Sequence, residues 1–285
     1  MRKFLLAAWL ALAPVPALAL PPVWVVHDHD STMTLFGSVH LLPKDLQWKP
    51  PALDQALSQA DDVWFEAPMG VEGRADAVKA AQDHAFLPDG QSLSALMSPK
   101  GRQRLAKAAK DIGLPMSQLD RLQPWYAELL VTAVMYEKLG AGSDAGVEIS
   151  LWGGLPATAQ RHAFETPVEQ IGFFAGAPLK EQAASLEDTL RQASDGKREF
   201  EILLKAWLNG DLKRLDKEAV EPLKKVSPAL YDRLVRERNA RWVAALDQRL
   251  KGSGRTVVIV GMGHLIGPDG LPARLRALGY QVDGP

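Results

Sequence analysis

Two short apolar runs, TLFGSVH (Thr34–His40) and VVIVGMGH (Val257–His264), constrain what this chain can fold into. Each has the β-branched content of a strand, each closes on Gly-x-x-His, and they lie near opposite ends of 285 residues. Between them the pattern is mainly helical. The strand-forming ends therefore belong together, and the helical middle reads as an insertion into one composite domain.

The remaining elements follow from periodicity and punctuation. VWVV (Val23–Val26) and TLFGSV flank HDHDST, which predicts an N-terminal β-hairpin. Leu53, Ala56, Leu57 and Ala60 recur at helical spacing over Pro51–Ala60. DDVWFEAP (Asp61–Pro68) then reads as a buried strand, so strand, helix and strand predict a parallel βαβ unit. From about Val71 to Leu250 helices dominate, with GLPMSQ, LQPW and GAPLK as turns. A weak strand (Arg161–Phe164) and a capping box with Pro167 at the first helical position (Thr166–Glu169) interrupt them. Ser227-Pro228 opens a long helix to about Leu250, RTVVIVGMGH is the last core strand, and LPARLRALGY with QV closes as helix and short strand. The expected fold class is α/β. A mainly parallel central sheet is flanked by helices, with the N-terminal β-hairpin and a large α-helical middle insertion at about 71–250 of a single domain, 20–285.

The first residues stand apart. MRKFLLAAWLALAPVPALA has Arg2 and Lys3, an apolar core and a small-x-small end at Ala17–Ala19, which predicts a signal peptide over residues 1–19. The alternative, a membrane anchor, is disfavoured by the short core and by Pro14 and Pro16. The expected location is periplasmic or secreted, with no stable membrane anchor after cleavage. A net charge of −1 points to no nucleic-acid partner, and the absence of cysteine removes disulfides, iron–sulfur centres and thiolate catalysis.

His40, Glu66 and His264 each fall at the carboxyl end of a predicted strand, where open parallel sheets bind ligands. Two imidazoles and a carboxylate form a common divalent-metal shell, and a metal-bound water attacks amide or ester carbonyls at neutral pH. On the residues alone, a histidine after a strand also fits a structural role, and Glu66 also fits a helix cap. In the long helix Leu234, Arg238, Trp242, Leu246 and Leu250 follow at i+4, so Arg238 lies on the apolar stripe with Asn239 beside it. An inward arginine needs a carboxylate or a ligand oxygen; the alternative is that it snorkels from the rim. HDHD (His27–Asp30) reads as a turn rather than a ligand set, His84 and His162 as structural, and Trp125, Trp152 and Trp207 as packing.

LFGSVHLLP (Leu35–Pro43), VWFEAP (Val63–Pro68), QPWYAELL (Gln123–Leu130), FETPVEQ (Phe164–Gln170), WLNGD (Trp207–Asp211), ERNARW (Glu237–Trp242) and VVIVGMGHLIGPDGL (Val257–Leu271) occur in this order. With them the chain resembles the TraB/GumN (TraB/PrgY/GumN) family, relatives of the Tiki metalloproteases, from about Val23 to Val282. The resemblance implies an α/β core and an active centre in which His40, Glu66 and His264 are metal or catalytic residues, lined by Arg238 and Asn239. The chain departs from the family where Gly-Val/Ile-Asp is common: it has Gly146-Val147-Glu148, which puts a direct ligand role for Glu148 in doubt.

These features carry three functional expectations. The first is a metal-dependent peptidase, with zinc, manganese or cobalt on His40, Glu66 and His264 and with Arg238 stabilising the oxyanion. The second is a non-catalytic binder of exported peptides. The third is a metal-free hydrolase with His40 as general base. In each the partner is a peptide or protein substrate.

Overall fold

The computed structural model describes residues 20–285, so the predicted signal peptide lies outside the described residues. Eight strands form among them: β1 (Val23–His27), β2 (Ser31–Ser38), β3 (Leu42–Pro43), β4 (Asp62–Phe65), β5 (Ala141–Gly142), β6 (Gln160–Ala163), β7 (Gly254–Gly261) and β8 (Gln281–Asp283). Six build one sheet in the order β6-β4-β7-β2-β1-β8, while β3 and β5 pair separately.

The most apolar run takes the centre. Val257, Val258, Ile259 and Val260 of β7 are all buried, so this strand needs cover on both faces and a neighbour on both edges. It pairs in parallel with β2, from Ser31 opposite Gly254 to Ser38 opposite Gly261, and in parallel with β4 on its other edge. β6 extends the parallel set, and β1 and β8 add antiparallel pairings at the far edge. The unit of β2, helix Pro51–Ser58 and β4 is parallel, but β7 is inserted between its two strands.

Helices cover the sheet. Trp207 of helix Gly196–Leu208 and Trp242, Leu246 and Leu250 of helix Glu237–Leu250 join Phe36, Phe65 and Val258 in one buried cluster. A second cluster around Leu105, Leu119, Val131 and Leu186 lies among the helices themselves. The helical middle is thus divided, because its later helices return to the sheet. Trp125 stacks on Phe174, Trp152 packs edge-on against Phe65, and His162 stacks on Trp64.

Local signals set the helix ends. The capping box of Thr166 and Glu169 is formed in both directions, and the Ser227 hydroxyl accepts the Leu230 N–H. The helix opened by Ser227 is not regular, however. A π-helical turn, Asp232–Arg236, separates Pro228–Tyr231 from Glu237–Leu250 and lies directly ahead of Arg238. Among the described residues, no helix is long and apolar enough to cross a membrane.

The β3–β5 ladder, which no sequence pattern announced, ties the chain after His40 to the chain before Glu148. The Val147 N–H also donates to the Val39 carbonyl at 3.1 Å. This close approach explains Gly146, where a Cβ would sit on the His40 carbonyl. Gly146→Ala is therefore expected to cost about 1–3 kcal/mol by overpacking. Gly153→Ala, at a position with open space, should stay within about 0.5 kcal/mol. Denaturant unfolding of both variants checks this, and equal stabilities would contradict the close approach.

Candidate functional site

Parallel pairing of β2, β7 and β4 puts their carboxyl ends along one edge of the sheet. His40 follows β2, Glu66 follows β4 directly, and His264 ends the 3-10 turn Met262–His264 after β7. The three converge on Gly261: a Cβ there would lie 3.1 Å from Glu66 Oε1, 3.8 Å from His264 Cδ2 and 3.9 Å from His40 Nε2. The absence of a side chain at Gly261 leaves that space open. HDHD sits at the other end of β2, where His27 meets Asp283 at 3.0 Å.

His40 is held from behind. Its Nδ1 lies 2.7 Å from Glu148 Oε1, which also accepts the Ser38 hydroxyl at 2.5 Å. Glu148 is buried, while the His40 side chain is 67% exposed. The Glu148 charge lifts the His40 pKa from 6.5 to about 9. Solvent around the exposed ring screens part of that attraction. Glu148 works through His40, as an orienting partner rather than as a member of the shell around Gly261.

His264 is buried and different in character. Burial lowers its pKa from 6.5 to about 4, so it is neutral at pH 7. Asn239 fixes its tautomer. The Asn239 amide NH₂ donates to the carbonyls of His264 and Asp269, so its Oδ1 is the acceptor 2.7 Å from His264 Nδ1. The ring proton is thus on Nδ1, and the bare Nε2 accepts from Arg238 Nη1 at 3.0 Å.

Arg238 joins every remaining group. It donates Nε and Nη2 to Glu165, Nη2 also to Glu66 Oε2 at 2.7 Å, and Nη1 to Leu234 O as well as His264. All five of its N–H groups are used. The guanidinium also lies near the Trp242 and Phe173 rings, at 4.6 and 5.2 Å. The buried arginine thus has carboxylate partners, and the snorkelling alternative does not apply.

Glu66 accepts the Gly261 N–H at 2.6 Å and the Gln170 amide at 3.2 Å. Burial opposes its charge, and the fields of His264, Arg238 and His40 hold its pKa well below the usual carboxylate range. With His264 neutral, the salt bridge to Arg238 leads, followed by the charge of His40 and the Gly261 N–H. Burial raises the Glu165 pKa, with Glu66 adding to the rise, because two carboxylates share one guanidinium.

A divalent ion fits this arrangement poorly. Glu66 Oε1 and His264 Nε2 are 3.8 Å apart, a separation that one ion could bridge. Yet the Nε2 lone pair is already taken by a guanidinium N–H at 3.0 Å, and an ion at ~2.1 Å on that lone pair would collide with it. Among the described residues no metal-holding group of three histidine, aspartate or glutamate side chains forms. Metal binding at His264 would require Arg238 Nη1 to give up its bond to Nε2.

Beside the cluster lies an apolar cavity of about 340 Å³, which shares His40 and Gly261 with it. Trp207, packed against Phe36 and Trp48, lines this cavity as well as the core.

The TraB/PrgY/gumN family profile matches residues 22–284, almost all of the described chain. The chain belongs to the TraB/PrgY/gumN family. It is 29% identical over 254 residues to "Uncharacterized protein YbaP" of Shigella flexneri, covering 88% of each chain. It is 29% identical over 246 residues to the protein of the same name from Escherichia coli (strain K12), covering 85% of this chain and 87% of that one. No solved structure matches it.

In this family member, sequence reasoning missed Glu165, Ser38 and Gln170. Glu165 had a signal: an inward Arg238 demands a carboxylate, and Glu165 follows β6 at the same edge of the sheet. Arg238→Ala is expected to destabilise by about 3–5 kcal/mol, because two carboxylates lose their cation. Arg238→Lys should recover only part, lacking the planar fork. Unchanged denaturation midpoints would contradict the five-bond arrangement.

The His40 pair gives a pH-dependent test. A folded-state pKa raised above 6.5 stabilises fully below 6.5, and that contribution is lost as pH rises through about 9. The Tm gap between the natural chain and His40→Ala, about 1–3 °C, should thus be largest near pH 6 and close towards pH 10. A gap that widens with pH would contradict the pairing.

Proposed function

We propose that this TraB/PrgY/gumN-family chain hydrolyses peptide bonds, with His40 as the acid–base residue and without a metal in the arrangement described. The observation that carries the reading is the oriented imidazole. Glu148 engages Nδ1, while Nε2 faces the open space at Gly261 beside Glu66 and an apolar cavity. Nε2 would accept a proton from water as the water oxygen adds to the scissile carbonyl carbon. The same proton would pass to the departing amine as the C–N bond breaks. The ionised Glu66 favours the imidazolium formed between these steps. Arg238, Asn239 and His264 are positioning residues here, because the donors of Arg238 are all engaged and none is free for an oxyanion.

One observation favours a metal instead. Both imidazoles have Nδ1 engaged by a carboxylate or amide oxygen and Nε2 directed at the cluster, as metal-binding histidines do, in line with what a family related to the Tiki metalloproteases would imply. His40, Glu66 and His264 would then hold the ion.

Mass-spectrometric cleavage of a random peptide mixture by the purified protein separates the readings. Cleavage that resists chelators and falls about 10²–10⁴-fold in His40→Ala is the expected result. Loss on chelation with recovery on zinc, manganese or cobalt would establish the metal reading. Binding of peptides without cleavage would establish the non-catalytic one. A general base must be deprotonated, so kcat/KM should rise with pH up to about 9. In Glu148→Gln that rise should move down towards 6.5, and an unmoved profile would remove Glu148 from its orienting role.

A further inference from the structure

Beside His40 lies an apolar cavity whose occupant the hydrolytic reading does not name. Apolar surface dominates it, from Leu203, Leu204, Trp207, Val220, Met262 and Ile266 among others. It is not sealed in the core, since His40 and Ala219 on its wall are exposed. An unfilled apolar cavity forfeits the packing contacts its walls lack, and a ligand that fills it restores them. At about 340 Å³ it lies in the range of ligand-binding cavities and exceeds what a methyl or small polar side chain would fill. Tyr136 and Leu203 are shared with a second cavity of about 310 Å³, which is lined largely by polar groups such as Arg191, Gln192 and Glu199. A ligand spanning both cavities would carry an apolar end near His40 and a polar continuation, which fits a peptide better than a compact apolar molecule.

We propose that this cavity is the specificity subsite for a bulky apolar side chain of the peptide substrate, next to the bond presented to His40. The assignment rests on the reading of His40 as the acid–base residue, but apolar selection by the cavity can be measured without turnover. Burying a phenylalanine or leucine side chain there should tighten binding about tenfold or more over glycine. Trp207, on the cavity wall, supplies a fluorescence readout.

The test uses the purified protein and capped tetrapeptides Ala-Ala-X-Ala, with X as Phe, Leu, Lys or Gly, followed by calorimetry and tryptophan emission. Phe and Leu peptides should bind about tenfold or more tightly than Gly and Lys peptides and should shift the emission. Ala219→Trp, at an exposed position on the cavity wall, should fill the cavity and abolish the preference. Leu204→Gln, at a half-buried position, should weaken it without filling the space, and far-UV circular dichroism confirms that both variants fold. His40→Ala should keep the binding preference while losing cleavage. Equal binding of all four peptides, or a preference that survives Ala219→Trp and Leu204→Gln, would overturn the subsite. Retained cleavage in His40→Ala would overturn the acid–base reading alone.

Discussion

The parallel ladder between β2 and β7 is the constraint on which the rest depends. It joins segments near the two ends of the chain, so its formation must offset the entropy of closing a loop that contains nearly every helix. The burial of Val257–Val260 against Leu35 and Phe36 supplies that stabilisation through apolar area removed from water. Once the ladder is in register, Ser38 stands opposite Gly261, and the residues after both strands leave from the same edge. The two Gly-x-x-His stretches are then neighbours because of the pairing. The two glycines meet different needs: Gly261 leaves space among Glu66, His264 and His40, whereas a Cβ on Gly37, inside β2, would strike the Met262 side chain.

The polar centre is built on compensation of charge. A buried guanidinium is costly alone, and so are the Glu66 and Glu165 carboxylates; together they satisfy one another. The π-helical turn before Glu237 comes directly ahead of the residue that makes these bonds, where one more residue per turn alters the direction in which Arg238 leaves the helix. The result divides labour between the histidines. His264 is buried, neutral and locked by Asn239, whereas His40 is exposed, backed by a carboxylate and able to exchange protons.

Much of this was legible in the sequence where one local rule decided the outcome. The apolar runs marked β2, β4 and β7, the Thr166–Glu169 box marked a helix start, and the i+4 stripe placed Arg238 and Trp242 inward. What remained hidden depends on contacts distant in sequence. No local pattern says that β7 enters between β2 and β4, that β3 pairs with β5, or that Glu165 meets Arg238. Glu148 illustrates the limit. Its identity set it apart from the family pattern, but its partner His40 is given only by the fold, through the Val147–Val39 hydrogen bond and the close approach at Gly146.

The division of roles between the two histidines can be observed directly. Nitrogen-15 NMR of the imidazole rings in labelled protein, titrated from pH 5 to 10 with and without one equivalent of zinc, reports each tautomer and each protonation. The result consistent with the geometry is a neutral His264 with its proton on Nδ1 throughout, and a His40 that stays protonated above pH 7. Zinc should leave the His264 signals unmoved, because Arg238 holds Nε2. Two histidines that titrate alike would contradict the division of roles, and a joint shift on adding zinc would show that an ion, not Arg238, organises the centre.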